Sequence, residues 1–553
     1  MFYMYRYSTG ELMRSAVIGL EVLFRNLIGC TMGCAASQEP AAAVEEPTPT
    51  SEMASGAHAV RVVIIGAGTS GLAAARTLVD TWDSSKNGGP LELTVLEARN
   101  RIGGRTWTMV SEAPAAWNAA DALGAPTDMG ASWIHGSCPK HPITKIATAL
   151  GQTEGGGLVQ TDDDSSEVVL GDTGKAPQND KFDAYESMLE QAQAKAEDAE
   201  TDKSIWQMLS GRSESGETRD SALFQYHLAT GAEFNTAGPA SQLSAWSGFD
   251  DEEYEGSEVV WAKGYKTMYE ALQSGAVKLN DGSNGVMVTA VAPGSRKPLT
   301  VQYGKRIREV AYDESGVKLT SADDSVVYRA DYAIITIPLG VLKSSDPSSA
   351  VTFRPTLPRA TAEGIRALGF GNVVKVALLF PTDWWPEGTH YYGLAQAGEP
   401  DRGLFTYFLN VHALSDKPVL MTFALGSAAD MAEEMSDDAV WEAIRTNLMT
   451  IFDSNDDVTV PEEMPHMIRS GWRADPHAKG AYTYCAVGTS KDTISDAFGG
   501  GVEGRLFFAG EHTSAAYRGT VHGAFETGQK AARAVVANSQ GAPAAESSEE
   551  EEN

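Results

Sequence analysis

Residues 60–79 constrain this chain more tightly than any other stretch. Val60–Ile65 is a short run of Val and Ile broken only by Arg61; Gly66-Ala67-Gly68-Thr69-Ser70-Gly71 follows directly, and Leu72–Val79 reads as a helix. A lone GxGxxG carries little weight in a chain with 55 glycines. Between a strand and a helix, each glycine has a mechanical job. Gly66 makes the tight turn, Gly68 lets backbone approach a pyrophosphate, and Gly71 allows close helix–strand packing. The helix N-terminus then offers free N–H groups and a positive partial charge to phosphates. A second buried strand, Leu91–Leu96, ends at Glu97, placed to accept hydrogen bonds from a ribose. Glu97 lies 26 residues after Gly71, beyond the usual ~20, and the polar loop Asp83–Pro90 absorbs the excess. These features predict a dinucleotide-binding α/β domain.

The rest of the chain continues the α/β alternation. Asp331–Ile337 reads as another buried strand, stopped by Pro338. Phe182–Ala199, rich in Ala, Glu, Gln and Lys, is helical by propensity. Asp437–Phe452 places Val440, Ile444, Leu448 and Ile451 on one helical face. There is no internal repeat. Residues 1–59 and 539–553 have the composition of a leader with linker and of an acidic tail, unable to bury enough apolar surface to order themselves. The formal charge of -31 argues against nucleic acid as a partner and favours cationic ligands at long range. Cys30, Cys34, Cys138 and Cys485 form no disulfide framework, and no Cys/His cluster suggests a metal. A reducing, cytoplasmic setting is the default. The most apolar stretch, near Ser15–Phe24, is interrupted by Glu21 and falls short of a membrane span.

Which dinucleotide binds is decided after Glu97. Ala98-Arg99-Asn100-Arg101-Ile102-Gly103-Gly104-Arg105-Thr106 sets two more glycines among arginines, a second phosphate-and-flavin loop that an NAD fold does not need. Together with Glu97 it resembles the FAD-binding signature of the flavin-containing amine oxidase family, most closely its polyamine oxidases. Further blocks resemble the family in order: Asp128–Gly136, Trp261-Ala262-Lys263-Gly264-Tyr265, Thr336–Leu342, Phe508–Thr513 and Gly519–Ala524. The resemblance implies a discontinuous Rossmann-like FAD-binding domain (60–141, 256–340 and 466–538) with an inserted α+β substrate domain (142–255 and 341–465). It also places Gly510, Glu511, Gly519, Thr520 and Val521 around the flavin with Arg99, Gly103, Gly104 and Arg105, and adds Ile307 and Trp472 to its surroundings. The helix expected over Ala524–Val535 would aim its N-terminus at the flavin's pyrimidine carbonyl, where reduction places negative charge.

The same resemblance implies the chemistry: an FAD-dependent oxidation of an amine C–N bond, with a polyamine and O2 as substrates and an amino-aldehyde and H2O2 as products. Lys375, in Gly371–Phe380, is a lone cation in an apolar strand, costly unless paired or functional. It matches the family's flavin-facing lysine. Tyr484 is matched to the first wall of the family's aromatic cage and Thr520 to the second, a departure from the two-aromatic cage of monoamine oxidases. Thr483 stands where some of those enzymes attach FAD through a Cys, so non-covalent FAD is expected. His135 matches a pocket-wall residue able to hydrogen-bond a substrate nitrogen, and Asp250-Asp251-Glu252-Glu253 is the candidate acidic lining for a cationic substrate. Two alternatives stand. A lysine-specific histone demethylase shares Lys375 and Tyr484 but carries a long helical insertion and an extra N-terminal domain, neither expected here; a non-catalytic flavin scaffold is disfavoured by Lys375, Tyr484 and His135. Met32-Gly33-Cys34-Ala35-Ala36-Ser37 reads as a myristoylation signal with a palmitoylatable Cys34, usable only if translation starts at Met32. Residues 1–37 also permit an organelle-targeting leader.

Overall fold

A computed structural model describes residues 59–110, 126–161, 165–177, 182–209, 218–282, 285–323, 325–396, 398, 402–415 and 417–541. Gly33, Cys34, the leader and the Glu-rich tail lie outside them.

Val60–Ile65, expected as a buried strand, forms the middle of a five-stranded parallel sheet in the order Val301–Gln302, Leu91–Leu96, Val60–Ile65, Tyr332–Ile335, Leu506–Phe508. Its inner positions are Val, Ile and Leu because helices cover a parallel sheet. Those strands come from three distant parts of the chain, so the nucleotide-binding domain is discontinuous. On one face, Thr69–Thr81 packs along the final helix, Val521–Gly541. The latter starts three residues before the expected Ala524 because Thr520 caps it: its Oγ1 accepts the Gly523 N–H at 2.9 Å and donates to the Tyr517 carbonyl at 2.8 Å. The strand expected over Asp331–Ile337 is regular only from Tyr332 to Ile335, with the Asp331 and Thr336 N–H groups still reaching the Arg61 and Ile65 carbonyls at 2.9 and 3.0 Å. The Asp331 side chain is turned to the Arg61 N–H, at 2.7 Å.

The inserted α+β region is built on a six-stranded sheet in the order His466–Arg469, Val374–Leu379, Val419–Ala424, Leu404–Asn410, Tyr391–Ala395, Ser166–Leu170. His466–Arg469 falls at the start of the span expected for the last nucleotide-binding portion, yet its hydrogen bonds go to Val374–Leu379. Helix Asp437–Ile451 covers one face with the predicted Val440, Ile444, Leu448 and Ile451 buried; Ser436 Oγ caps it and Asp437 and Asp438 occupy its first turn. Helix Phe182–Glu197 also forms as expected. A four-stranded sheet (Val327–Ala330, Gly316–Ser321, Ile307–Asp313, Thr352–Arg354) and a three-stranded one (Trp133–Ser137, Ser257–Trp261, Leu158–Gln160) complete the frame.

Candidate active site

The glycine loop divides its labour as the motif requires. At Gly66 (φ +113°) an added Cβ would sit 2.3 Å from Thr336 Oγ1, and at Gly71 it would sit 2.0 Å from the Gly66 carbonyl oxygen. At Gly68 it would meet nothing in the protein nearer than 3.9 Å. Gly66 and Gly71 are glycines because protein presses on them; Gly68 faces a cradle that a side chain would fill. Gly103 (φ +93°) and Gly104 (φ +60°) border that cradle, with the Gly103 N–H on the Ala67 carbonyl at 2.9 Å. Glu97 is buried beside it: Oε2 accepts the Ala67 N–H and Oε1 the Arg99 N–H, both at 2.8 Å.

The two flanking arginines bind protein as well as shaping the loop. Arg99 pairs with Asp475 at 2.7 Å, and Arg105 pairs with Glu511 at 2.9 Å while donating to the Ala481 carbonyl at 2.6 Å. Both pairs join the first portion of the chain to the last. Glu511 also accepts from the Gly519 N–H at 3.0 Å and the Thr483 hydroxyl at 3.1 Å. The Gly510–Glu511 and Gly519–Val521 segments are therefore held together around one carboxylate. Trp472 is buried edge-on to Trp107, its Nε1 donating to the Met129 carbonyl at 3.1 Å, and Ile307 packs in the core beneath the sheet.

Lys375 sits mid-strand and is 6% exposed. Its Nζ donates to Ser132 Oγ at 2.5 Å and to the Asp128 carbonyl at 3.2 Å, and lies 5.4 Å from the Trp133 ring and 5.7 Å from that of Phe423. Burial pulls its ammonium below the usual lysine range, opposed by the Asp128 carboxylate. Burial in turn pushes the Asp128 carboxyl up, against the Thr108 hydroxyl, the Lys375 charge and the Tyr265 N–H, which all stabilise its ionised form. Trp133, Phe234, Tyr407, Phe423 and Tyr482 share one apolar cluster around this lysine, with Phe234 and Phe423 4.9 Å apart. A turn of π-helix, Leu228–Glu233, feeds directly into Phe234; its Glu233 is held by Arg402 in a fully buried ion pair at 2.6 Å.

Not every expected residue joins Lys375. Tyr484 belongs to a neighbouring core with Leu189, Leu228 and Leu243, its hydroxyl donating to Gln242 at 2.7 Å. Gly238 and Gly369 both press on its ring: a Cβ on either would lie within 3 Å of it. Tyr482, two residues earlier, is the tyrosine that packs with the Lys375 cluster, beside Gly519, its hydroxyl on the Phe234 carbonyl. Thr520 spends its hydroxyl on the helix cap. His135 Nδ1 meets Glu258 at 2.6 Å, and the same carboxylate accepts the Gly136 N–H at 2.9 Å. Of the acidic run, Asp250 and Asp251 are tied to the buried Arg518 at 2.7 and 3.0 Å, while Glu253 lies near Glu258 and His135. Cys485 is buried, and its thiol is pushed up to about 11 by desolvation. Glu258, Tyr482 and Ser132 went unnoticed as site residues in the sequence. Tyr482 was the most accessible of them, since it belongs to the same Tyr482-Thr483-Tyr484 run.

A glycine-lined nucleotide cradle and a buried lysine set in an aromatic cluster are the marks of a dinucleotide-dependent oxidoreductase. The chain belongs to the flavin-containing amine oxidoreductase family, whose model matches residues 69–536. It is therefore an FAD-dependent amine oxidoreductase, and the open space at Gly68, the paired arginine loop and Glu97 fit that group. Polyamine oxidase 2 of Arabidopsis thaliana is 31% identical over 85% of this chain and 87% of its own length. Lysine-specific histone demethylase 1 homolog 2 of the same plant is 30% identical over 86% of this chain but 58% of its own. A redesigned putrescine oxidase shares the fold, with a TM-score of 0.61, 19% identity, and coverage of 87% of this chain and 100% of that one. Among the described residues no helix is long and apolar enough to cross a membrane, and no His/Cys/Asp/Glu group could hold a metal.

Proposed function

We propose that this enzyme is a polyamine oxidase that takes spermine, spermidine or an acetylated form, with FAD bound non-covalently. The supporting observation is the aromatic cluster beside a buried Lys375, a setting that suits the methylene chain of an amine that must be neutral to react. Bound FAD supplies the acceptor for a hydride from the carbon beside the amine nitrogen. The substrate becomes an imine, and water converts it to an aldehyde and a free amine; O2 takes up the two electrons and two protons as H2O2.

The chain's own residues prepare that chemistry. Trp133, Phe234, Tyr407, Phe423 and Tyr482 exclude water and position the alkyl chain. Lys375 uses two N–H groups on Ser132 and Asp128, leaving the third to hold a water in the pocket. His135, with Glu258 on its Nδ1, hydrogen-bonds a substrate nitrogen away from Lys375. Anaerobic titration with spermine, spermidine and their acetylated forms tests the reading. At least one should bleach the flavin and yield an amino-aldehyde after hydrolysis. A protein bleached by none of them, but by a methylated lysine peptide, would be a demethylase instead.

A further inference from the structure

Helix Phe182–Glu197 ends against residues 244–250, and a cleft of about 500 Å³ opens between them, lined by Gln193, Glu197, Ala245, Trp246, Phe249 and Asp250. None of these residues belongs to the aromatic group around Lys375. Trp246 is 48% exposed, an unusual position for the largest apolar side chain. It is nonetheless fixed in place. Its Nε1 donates to the Ala196 carbonyl at 2.5 Å and its backbone N–H to Ser244 Oγ at 3.1 Å, so the ring is held at the cleft rather than free to fold away.

The charged side chains that line the cleft are both carboxylates. The carbonyl end of helix Phe182–Glu197 carries partial negative charge, Glu197 stands exposed beside it, and Asp250 contributes a second carboxylate. Arg518 lies behind Asp250 and is buried, its guanidinium shared between Asp250 and Asp251 at 2.7 and 3.0 Å. No lysine or arginine lines the cleft. A fixed indole, two carboxylates and a side-chain amide recognise an alkylammonium group: the ring attracts a cation's apolar shell, and the acids attract its charge.

We propose that this cleft is a second binding site, outside the Lys375 pocket, for a polyvalent alkylammonium ion. The inference rests on the proposed function only in expecting such ions near the enzyme. Hexamethonium, a bis-quaternary ammonium, is the probe. It keeps the cationic shell, yet its nitrogens have no lone pair and it cannot be oxidised as an amine. Calorimetric titration of the FAD-loaded protein at low salt should give a binding event that Trp246→Leu weakens at least tenfold and Glu197→Gln several-fold. Trp246→Tyr, which keeps a ring, should retain most of it. All three variants should be bleached by saturating spermine at the wild-type rate. No binding to wild type, or equally tight binding to Trp246→Leu, overturns the proposal. If spermine bleaches no variant, wild type included, while hexamethonium binding shows the stated dependence, the polyamine oxidase reading fails and the second site stands.

Discussion

His141 is expected to set part of this protein's sensitivity to acid, and His141→Asn should relieve it. The ring is fully buried, and its Nδ1 accepts the N–H groups of Ile143 and Thr144 at 3.2 and 3.4 Å, capping helix Pro142–Ala149. An acceptor nitrogen cannot be protonated without losing that cap. Burial, with the nearby His135 and Lys145, pulls its pKa down to about 3. Because the folded value lies below the unfolded one, the unfolded chain binds a proton that the folded chain refuses. The associated stability is intact above about pH 6.5 and is lost as pH falls, until the folded form itself titrates. A full proton is worth about 1.4 kcal/mol per pH unit, so lowering the pH from 7 to 5 costs about 2 kcal/mol from His141 alone. His522, 4.7 Å away, is held neutral by the same burial and adds a similar loss. Asparagine keeps a capping oxygen but carries no titrating ring. His141→Asn should lower stability at pH 8 by about 1–2 kcal/mol for lost packing against His522 and Tyr254. Its further loss between pH 7 and 5 should be smaller than wild type's by about 2 kcal/mol. Urea unfolding at saturating FAD across that range measures both. An equal or steeper acid loss in the variant would refute the neutral-cap argument.

Four further outcomes follow from the site. Lys375→Met should retain FAD but slow flavin reduction or reoxidation more than about tenfold, equivalent to about 1.4 kcal/mol of barrier; stopped-flow absorbance that matches wild type would exclude the lysine. Gly68→Val should abolish FAD binding because its side chain enters the open cradle, read as loss of yellow colour after purification. Tyr482→Ala should raise the spermine KM and lower kcat with FAD content preserved. Tyr484→Ala should act chiefly on stability, by about 3 kcal/mol or more as a buried aromatic truncation, and a pure kcat effect there would restore Tyr484 to the pocket.

What could be read in advance was whatever depends on local pattern. The strand before Gly66, the helix after Gly71 and the amphipathic Asp437–Ile451 each state their period within a dozen residues. Lys375 stood out because a charge among Val and Leu breaks that pattern. The aromatic pocket was not legible, since Trp133, Phe234, Tyr407, Phe423 and Tyr482 come from five separated segments and meet only in three dimensions. Which of Tyr482 and Tyr484 packs toward Lys375 was not legible for a related reason. Both lie in one short aromatic run, and only the glycines at 238 and 369, remote in sequence, show which ring is walled in. Likewise, nothing near Asp250 announces that Arg518 will claim it.

The split origin of the parallel sheet carries a consequence for how the molecule is made. Strands Val60–Ile65 and Leu91–Leu96 are synthesised before the rest of the sheet, but the strand at one edge, Leu506–Phe508, and the helix that packs on Thr69–Thr81 follow only after the whole inserted region. At 5–20 residues per second, the chain between Leu96 and Leu506 takes roughly 20 to 80 s to emerge. Until Leu506–Phe508 emerges, Tyr332–Ile335 is an open sheet edge and helix Thr69–Thr81 lacks the Val521–Gly541 helix, a template for pairing with other chains. The ion pairs of Arg99 with Asp475 and of Arg105 with Glu511 can form only after the last portion is made, so these two clamps on the nucleotide site come late in folding.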